Sequence, residues 1–396
     1  MTEAYILKHK DENCAGLSIE NSDGSLSDYI SMHKSSAPFL GNDFRELVKK
    51  WWLARCVPAS RKMMQRVIRL SKCETSGQYL AKNLALSMTD CYWICPVETD
   101  LRWDSVNLRK IGPGIGEKIP YHSASTYDPN ASLGGQMEKY WDLTGPDPIL
   151  VKTAGGHFGQ QALNELFATE IHRAQEQIFP YVTYSVRKTE DGDLQSLCKA
   201  FTSDTRELIP AMEVLDSEKR HNDESLYDSY IRICSKNGIE KNYISDYMDY
   251  QTIADFVLSN TDEHLMNFGV LRDPETLHFI DAAPIFDSGN AMFFSEIRRE
   301  PYKSYELLAR KITSFHDTEE AMLRHVKNRL IFRADALPSA QEVRDFYANG
   351  GIPEEKAVFI AGSYEKKVQL LTEFQAGKTI SLYYEKQRCK KGLSEQ

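Results

Sequence analysis

Asn260-Thr261-Asp262-Glu263-His264-Leu265-Met266-Asn267-Phe268 is the stretch on which the reading of this 396-residue chain turns. Before it, Tyr247, Tyr250, Ile253, Ala254 and Val257 recur at helical spacing, which predicts a helix ending near Ser259. After it, 268–271 and 277–280 flank the turn Arg272-Asp273-Pro274-Glu275 and predict a short hairpin. Asp262 and Asn267 therefore fall in a loop held by regular structure on both sides. Ala283-Pro284-Ile285-Phe286-Asp287-Ser288-Gly289 then places Asp287 25 residues beyond Asp262. Phosphoryl transfer needs few protein parts: a carboxylate to accept the proton of the attacking hydroxyl, and oxygen ligands to hold Mg²⁺ on the phosphates. Asp262 suits the first role, and Asn267 and Asp287 suit the second. The competing reading is turn chemistry, with Asp and Asn closing a helix end and a hairpin.

The upstream sequence decides between them. Ile149-Leu150-Val151-Lys152 reads as a buried strand ending on a lysine, and Gly155-Gly156-His157-Phe158-Gly159 as a flexible connection. Leu163, Phe167, Ile171 and Ala174 predict a helix over 160–177, with Glu165 thirteen residues after Lys152. Two strand-like runs follow, 181–187 and 194–201, around the turn Thr189-Glu190-Asp191-Gly192-Asp193. Kinase-like folds place a phosphate-binding lysine and the carboxylate that orients it in this order. Beyond about residue 205 the pattern is mainly helical, with runs predicted over 305–313, 319–332 and 357–376 and a frayed charged tail over 386–396. The expected fold is α+β and two-lobed, protein-kinase-like, with a small strand-rich lobe before a larger helical one. The expected division is 1–110 as an N-terminal subdomain, 111–204 as the small lobe and 205–396 as the helical lobe. Asp281 is a weaker rival to Asp287, because it closes a strand.

The remaining features mostly exclude. Forty-eight Lys and Arg against 57 Asp and Glu give a net charge of −9, which disfavours direct nucleic-acid binding and adhesion to anionic membranes. Charged residues from Glu3 to Glu12 leave no apolar signal segment, and no apolar run is long enough to span a bilayer, so a cytoplasmic location is expected. Cys91 and Cys95 lie in an apolar segment, 84–97, without further metal ligands nearby, and read as packed thiols. In the first hundred residues Tyr5-Ile6-Leu7 is strand-like, and helices are predicted over 43–56 and 61–70. Gly112-Pro113-Gly114-Ile115-Gly116-Glu117-Lys118 mimics a phosphate loop but fits neither G-x-x-x-x-G-K-[ST] nor G-x-G-x-x-G, and reads as a turn. Trp51-Trp52 and Tyr92-Trp93 lack the interleaved basic residues of a base-stacking platform.

Ser132-Leu133-Gly134-Gly135-Gln136-Met137-Glu138-Lys139, Ile149 to Lys152, Asn164-Glu165, Asn260 to Phe268 and Pro284-Ile285-Phe286-Asp287 together resemble the HipA-type serine/threonine kinases. That family's catalytic loop is similar to that of phosphatidylinositol kinases. The resemblance implies ATP and Mg²⁺ as cofactors, with Lys152 on the ATP phosphates and Glu165 holding it. Ser132, Gly134, Gly135 and Gln136 would belong to a loop over the phosphates, and Ser132 matches a position of autophosphorylation. Asp262 would be the catalytic base, His264 a brace of its loop, and Asn267 and Asp287 the metal ligands. The hinge would be Leu197-Cys198-Lys199-Ala200-Phe201, with Lys199 where the family has an acidic residue, leaving adenine to backbone groups. Ser288-Gly289-Asn290 after Asp287 departs from the apolar residues common there. The resemblance also implies a protein substrate, a toxin role and a DNA-binding antitoxin as a partner. An ATP-binding module without catalysis, or a lipid or small-molecule kinase of the same fold, remains the alternative.

Overall fold

Thr2–His9 (β1) and Glu12–Glu20 (β2) alternate buried with more exposed residues, the period of a sheet covered on one face. They open a computed structural model that describes residues 1–31, 44–57, 68, 71–110, 127–133, 137–176 and 179–394. Leu26–Ser31 (β3), the helices Phe44–Arg55 (α1) and Ser76–Lys82 (α2), Tyr92–Pro96 (β4) and the short helix Trp103–Val106 (α3) complete the N-terminal unit. Its antiparallel sheet has the order β3-β2-β1-β4. Leu7, Leu17, Trp52, Leu80, Trp93, Ile94 and Val106 fill the core beneath it. Trp51, Trp52, Tyr92 and Trp93 are all buried, and Cys91 and Cys95 are buried free thiols. The segment 112–118 and all of the predicted helix 61–70 except Ile68 lie outside the described residues.

Glu138–Asp142 (β5), Ile149–Ala154 (β6), Tyr184–Lys188 (β7) and Leu194–Lys199 (β8) form a second antiparallel sheet, ordered β5-β6-β8-β7. Between β6 and β7 runs the helix Gln160–Ala174 (α4). Gly159 caps it at φ +74°, and a Cβ there would meet the Leu194 side chain at 2.7 Å, so glycine is required twice over. The apolar face of α4 enters the core of the large lobe: Phe167 lies 5.7 Å from the ring of Tyr347 and 6.1 Å from that of Tyr364. This helix is therefore fixed by both lobes.

Glu207–Pro210 (β9), the helices Ala211–Asp216 (α5), Leu226–Lys236 (α6) and Lys241–Leu258 (α7), and the hairpin Gly269–Arg272 (β10) and Phe279–Ala282 (β11) begin the large lobe. The small sheet is ordered β11-β10-β9. Ser304–Leu308 (α8), Glu319–Leu323 (α9), Ala340–Asn349 (α10), Glu354–Gln375 (α11) and Leu382–Ser394 (α12) complete it. The mixed architecture, strand-rich first and helical later, is the one expected.

Several boundaries differ, each for a local reason. The helix predicted over 319–332 stops at Leu323, because the Asp249 carboxylate takes the backbone N–H groups of Lys327 (3.0 Å) and Asn328 (2.7 Å). The helix predicted over 305–313 stops at Leu308, and the N–H of Thr313 is given to Thr261 O at 2.9 Å. The helix predicted to reach 177 ends at Ala174. The expected frayed tail is largely α12, anchored by Arg388 on both oxygens of Glu373 at 3.1 and 2.9 Å. Helix α10 was not anticipated.

The N-terminal sheet is keyed to the large lobe by one buried carboxylate. Glu207 on β9 accepts from His9 Nε2 (2.8 Å), from the Cys91 backbone N–H (2.8 Å) and from Arg272 Nη2 (2.8 Å), while Arg272 also donates to Tyr92 OH at 3.0 Å. His9, Cys91 and Glu207 lie close enough together to suggest a metal site. Arg272 occupies the second oxygen of Glu207, so the set is an ion-pair clamp. Burial would raise the pKa of Glu207, but His9 and Arg272 outweigh it and bring it down to about 2. A depressed carboxylate stabilises the fold fully above its ordinary value of 4.5 and loses that contribution as pH falls toward 2. Glu207→Gln, which removes the carboxylate charge bonded to the buried Arg272 guanidinium, is expected to cost about 3–5 kcal/mol in urea denaturation at pH 7. The difference from the parent protein should shrink on acidification.

Candidate active site

Lys152 stands near the end of β6 because Val151 before it and Ala154 beyond it are buried apolar positions of a central strand. Its ammonium, itself buried, donates to Glu165 from α4 and to Asp287 Oδ1 at 2.6 Å. The second oxygen of Glu165 accepts from the Ser196 hydroxyl on β8, the strand paired with β6. Asp287 has φ +65°, a left-handed position that costs a non-glycine residue energy and is common where geometry serves function. Its backbone N–H donates to Tyr184 OH at 3.1 Å, and the Tyr184 ring lies 5.3 Å from the Lys152 ammonium. Lys139 on β5 is directly opposite Lys152 in register and so shares its face of the sheet.

The electrostatics follow from this crowding. Burial opposes the charge on Lys152, but Asp287 and Glu165 overcome it and hold its pKa well above the usual lysine value. Burial would likewise raise Asp287, yet Lys152 and then Lys139 draw it down to about 2. Glu165 is the group that burial pushes up, only partly relieved by Lys152. At neutral pH the site therefore presents a cation beside an ionised carboxylate.

The loop 260–268 comes off the C-terminus of α7, where Ser259 adopts the left-handed conformation (φ +50°) and turns the chain. Asn267 Nδ2 donates to Asp262 O at 2.8 Å, so the amide oxygen is the group that Asn267 offers to a cation. His264 accepts from Met266 N through Nδ1 (3.3 Å) and from Asn267 N through its carbonyl (2.7 Å), bracing the loop. The half-buried Asp262 carboxylate accepts from Asn290 Nδ2 at 2.7 Å. Behind it, Asn260 Nδ2 bridges Asp255 and Glu263, each at 3.0 Å. Burial raises Asp255 to about 7 and Glu263 well above its usual value. Asn290, three residues after Asp287, reaches Asp262 and so ties the loop to the Lys152 cluster.

Lys152, Glu165 and Asp287 are thus in contact, and Asp262, His264 and Asn267 form the adjoining loop. Asp281 is committed to Tyr243 OH at 2.7 Å and does not join them. Lys199 does not join them either: its ammonium pairs with Asp147 at 2.7 Å in solvent. Phe201 lies in an apolar cluster with Val182, Tyr184, Cys198, Leu150 and Phe286, its ring 5.4 Å from that of Phe286. An open cavity of about 490 Å³ runs along the 197–201 segment, but Lys152, Glu165 and Asp287 are not among its walls. Ser132 is half-buried beside a turn in which Leu133 N donates to Asn130 O at 3.2 Å. Gly134, Gly135 and Gln136 lie outside the described residues. Sequence reasoning gave no role to Lys139, Ser196 or Asn290. Strand register would have found Lys139 and Ser196, which lie opposite Lys152 on β5 and β8, whereas Asn290 is brought in by packing alone.

No family model matches the chain. Over 100 residues it is 30% identical to the serine/threonine-protein kinase CtkA of Helicobacter pylori strain J99, a match spanning 24% of this chain and 30% of CtkA. The solved HipA of Shewanella oneidensis MR-1, determined with HipB and operator DNA, superposes on 95% of this chain and 98% of its own, with a TM-score of 0.52 at 12% identity. The chain shares the fold of that HipA. The crystal structure of the Helicobacter pylori proinflammatory kinase CtkA aligns with 63% of this chain and 95% of its own, at 14% identity and a TM-score of 0.44. Within that fold the Lys152 cluster spans the small sheet, α4 and the large lobe, and Glu165 depends on the ammonium for its charge. Lys152→Met is expected to destabilise the ligand-free protein by about 3–5 kcal/mol at pH 7, since it strands a buried carboxylate. With the amine gone, the folded-state pKa of Glu165 rises further above 4.5, so the folded state binds the proton more tightly. The variant should accordingly lose stability as pH rises from 5 to 8 in guanidinium titrations, more steeply than the parent.

Proposed function

We propose that this protein is a Mg²⁺-dependent kinase that transfers the γ-phosphoryl group of ATP to a serine or threonine hydroxyl of a protein. The observation that carries this reading is the Lys152 ammonium in contact with both Glu165 and Asp287, beside a loop that presents Asp262 and Asn267. Lys152, oriented by Glu165, grips phosphate oxygens, and Lys139 on the facing strand adds a second positive charge. The oxygens of Asp287 and Asn267 are the hard ligands that suit Mg²⁺, which when bound supplies charge neutralisation at the phosphates. Asp262 accepts the proton of the attacking hydroxyl through the carboxylate oxygen that Asn290 leaves open. The apolar cluster around Leu150, Phe201 and Phe286 is a suitable floor for adenine, with hinge backbone groups making the polar contacts.

The likeness to HipA, solved with HipB and DNA, extends the proposal to a DNA-binding antitoxin as partner and a toxin role. Ser132 is the proposed autophosphorylation site. A cytoplasmic location fits the charged surface, and among the described residues no helix is long and apolar enough to cross a membrane. The test is phosphotransfer from γ-labelled ATP with Mg²⁺, together with thermal stabilisation by Mg·ATP. Asp262→Asn is expected to lower kcat by about 10²–10⁴-fold, the usual worth of a general base, while keeping the nucleotide-dependent shift. Asp287→Ala should lose the shift itself. A parent protein with neither transfer nor Mg·ATP stabilisation would overturn the reading.

A further inference from the structure

The turn after Asp287 is gripped by side-chain amides of α4. Gln160 Nε2 donates to Met292 O at 2.8 Å, and Asn164 Nδ2 donates to Gly289 O and Ala291 O, both at 2.7 Å. Asn164 is itself oriented, since its oxygen accepts from Tyr347 OH at 2.9 Å. Within this clamp Gln161 Nε2 donates to Asn290 Oδ1 at 2.9 Å, and Asn290 Nδ2 donates onward to Asp262 Oδ2 at 2.7 Å. Chemistry fixes the direction of the relay. An ionised carboxylate only accepts, so Asn290 must turn its NH₂ toward Asp262. Its carbonyl is then left facing Gln161, which must present its own NH₂.

We infer that Asn290 is a positioning residue for the base. It pins Oδ2 of Asp262 so that Oδ1 faces the substrate hydroxyl, and Gln161 enforces the orientation of that amide from α4. The inference rests on Asp262 acting as the base, as proposed above. Residues 160, 161, 164 and 165 fall within the first two turns of the helix. A single element therefore sets the phosphate lysine through Glu165 and the base through Gln161. The polar Ser288-Gly289-Asn290 sequence thereby has a function: an apolar residue at 290 has no donor for the carboxylate.

Gln161→Glu discriminates, because it keeps the shape of the side chain and reverses its hydrogen-bonding sense. A carboxylate at 161 draws the NH₂ of Asn290 to itself and turns the Asn290 carbonyl onto Asp262. Gln161→Met merely removes the donor and leaves Asn290 able to hold the base. In the full chain with a peptide acceptor, Asn290→Ala and Gln161→Glu are each expected to lower kcat by roughly 100-fold, as misplacement of a reacting group does. The KM for ATP should change little, Gln161→Met should lose much less, and Gln161→Glu should add nothing to Asn290→Ala. A second readout needs neither nucleotide nor metal. In protein labelled with ¹⁵N-asparagine, the Asn290 side-chain amide protons should exchange slowly with solvent, and lose that protection in Asp262→Ala. A transfer-competent parent that Gln161→Glu matches in kcat, or that Asp262→Ala matches in Asn290 amide protection, overturns the positioning role alone. A parent that neither transfers phosphate nor is stabilised by Mg·ATP overturns the kinase reading and this inference with it.

Discussion

One buried ammonium, shared between two carboxylates, is the constraint around which the rest is arranged. Lys152 comes from the small sheet, Glu165 from α4 and Asp287 from the large lobe, so their contact fixes three separately folded pieces at one point. None of the three tolerates isolation, because a buried charge without a partner costs several kcal/mol. The cluster still carries one more negative than positive charge. Lys139 reduces that excess from across the β5–β6 pair, and Asp287, the more accessible carboxylate, is the one whose pKa is held down. The protein thus keeps the Asp287 carboxylate charged in a low-dielectric setting by surrounding it with cations, at the expense of raising its buried neighbour Glu165.

The same solution recurs at the junction of the N-terminal sheet. Glu207, with His9, Cys91 N, Arg272 and Tyr92, does for β1, β4, β9 and β10 what the Lys152 cluster does for the small sheet, α4 and the large lobe. Arg272 ends β10, the strand reached directly from the loop 260–268, and Gly269 begins it. A Cβ on Gly269 would lie 2.1 Å from Ile209 O, so β9 and β10 pack with backbone almost in contact. The N-terminal unit is consequently braced against the strand that anchors the loop 260–268.

What the sequence discloses about this site is what local chemistry determines. A buried strand with a terminal lysine, a helix with an apolar stripe and a hairpin after an Asp/Asn loop are all read from neighbours within one element. Lys152, Glu165, Asp262 and Asn267 follow from them. Of the two aspartates weighed after the hairpin, Asp287 meets the lysine, whereas Asp281 is taken up by Tyr243. The misreadings share another cause. The stretch 319–332 is apolar enough to form a helix, but Asp249, 78 residues before Lys327 in the chain, takes the backbone donors of Lys327 and Asn328. Gln161 and Asn290 are invisible for the same reason. Their roles are long-range hydrogen bonds, and an amide in a turn looks alike whether it faces water or a carboxylate.

The segment after Asp287 shows what that choice of residues entails. Apolar anchoring to α4 would be non-directional, so the turn could slide over the helix with little loss of buried area. Amide hydrogen bonds weaken steeply when their angles open, so the donors of Gln160, Gln161 and Asn164 tolerate no such sliding. Helix α4 is in turn wedged by Phe167 against Tyr347 and Tyr364 of the large lobe. To move the helix, the aromatic packing, the amide clamp and the Lys152–Glu165 contact must all yield together. Groups so coupled open as a unit or stay closed, which makes the assembled site a single state of the fold, with Glu165 and Asp262 in register whenever α4 is in place.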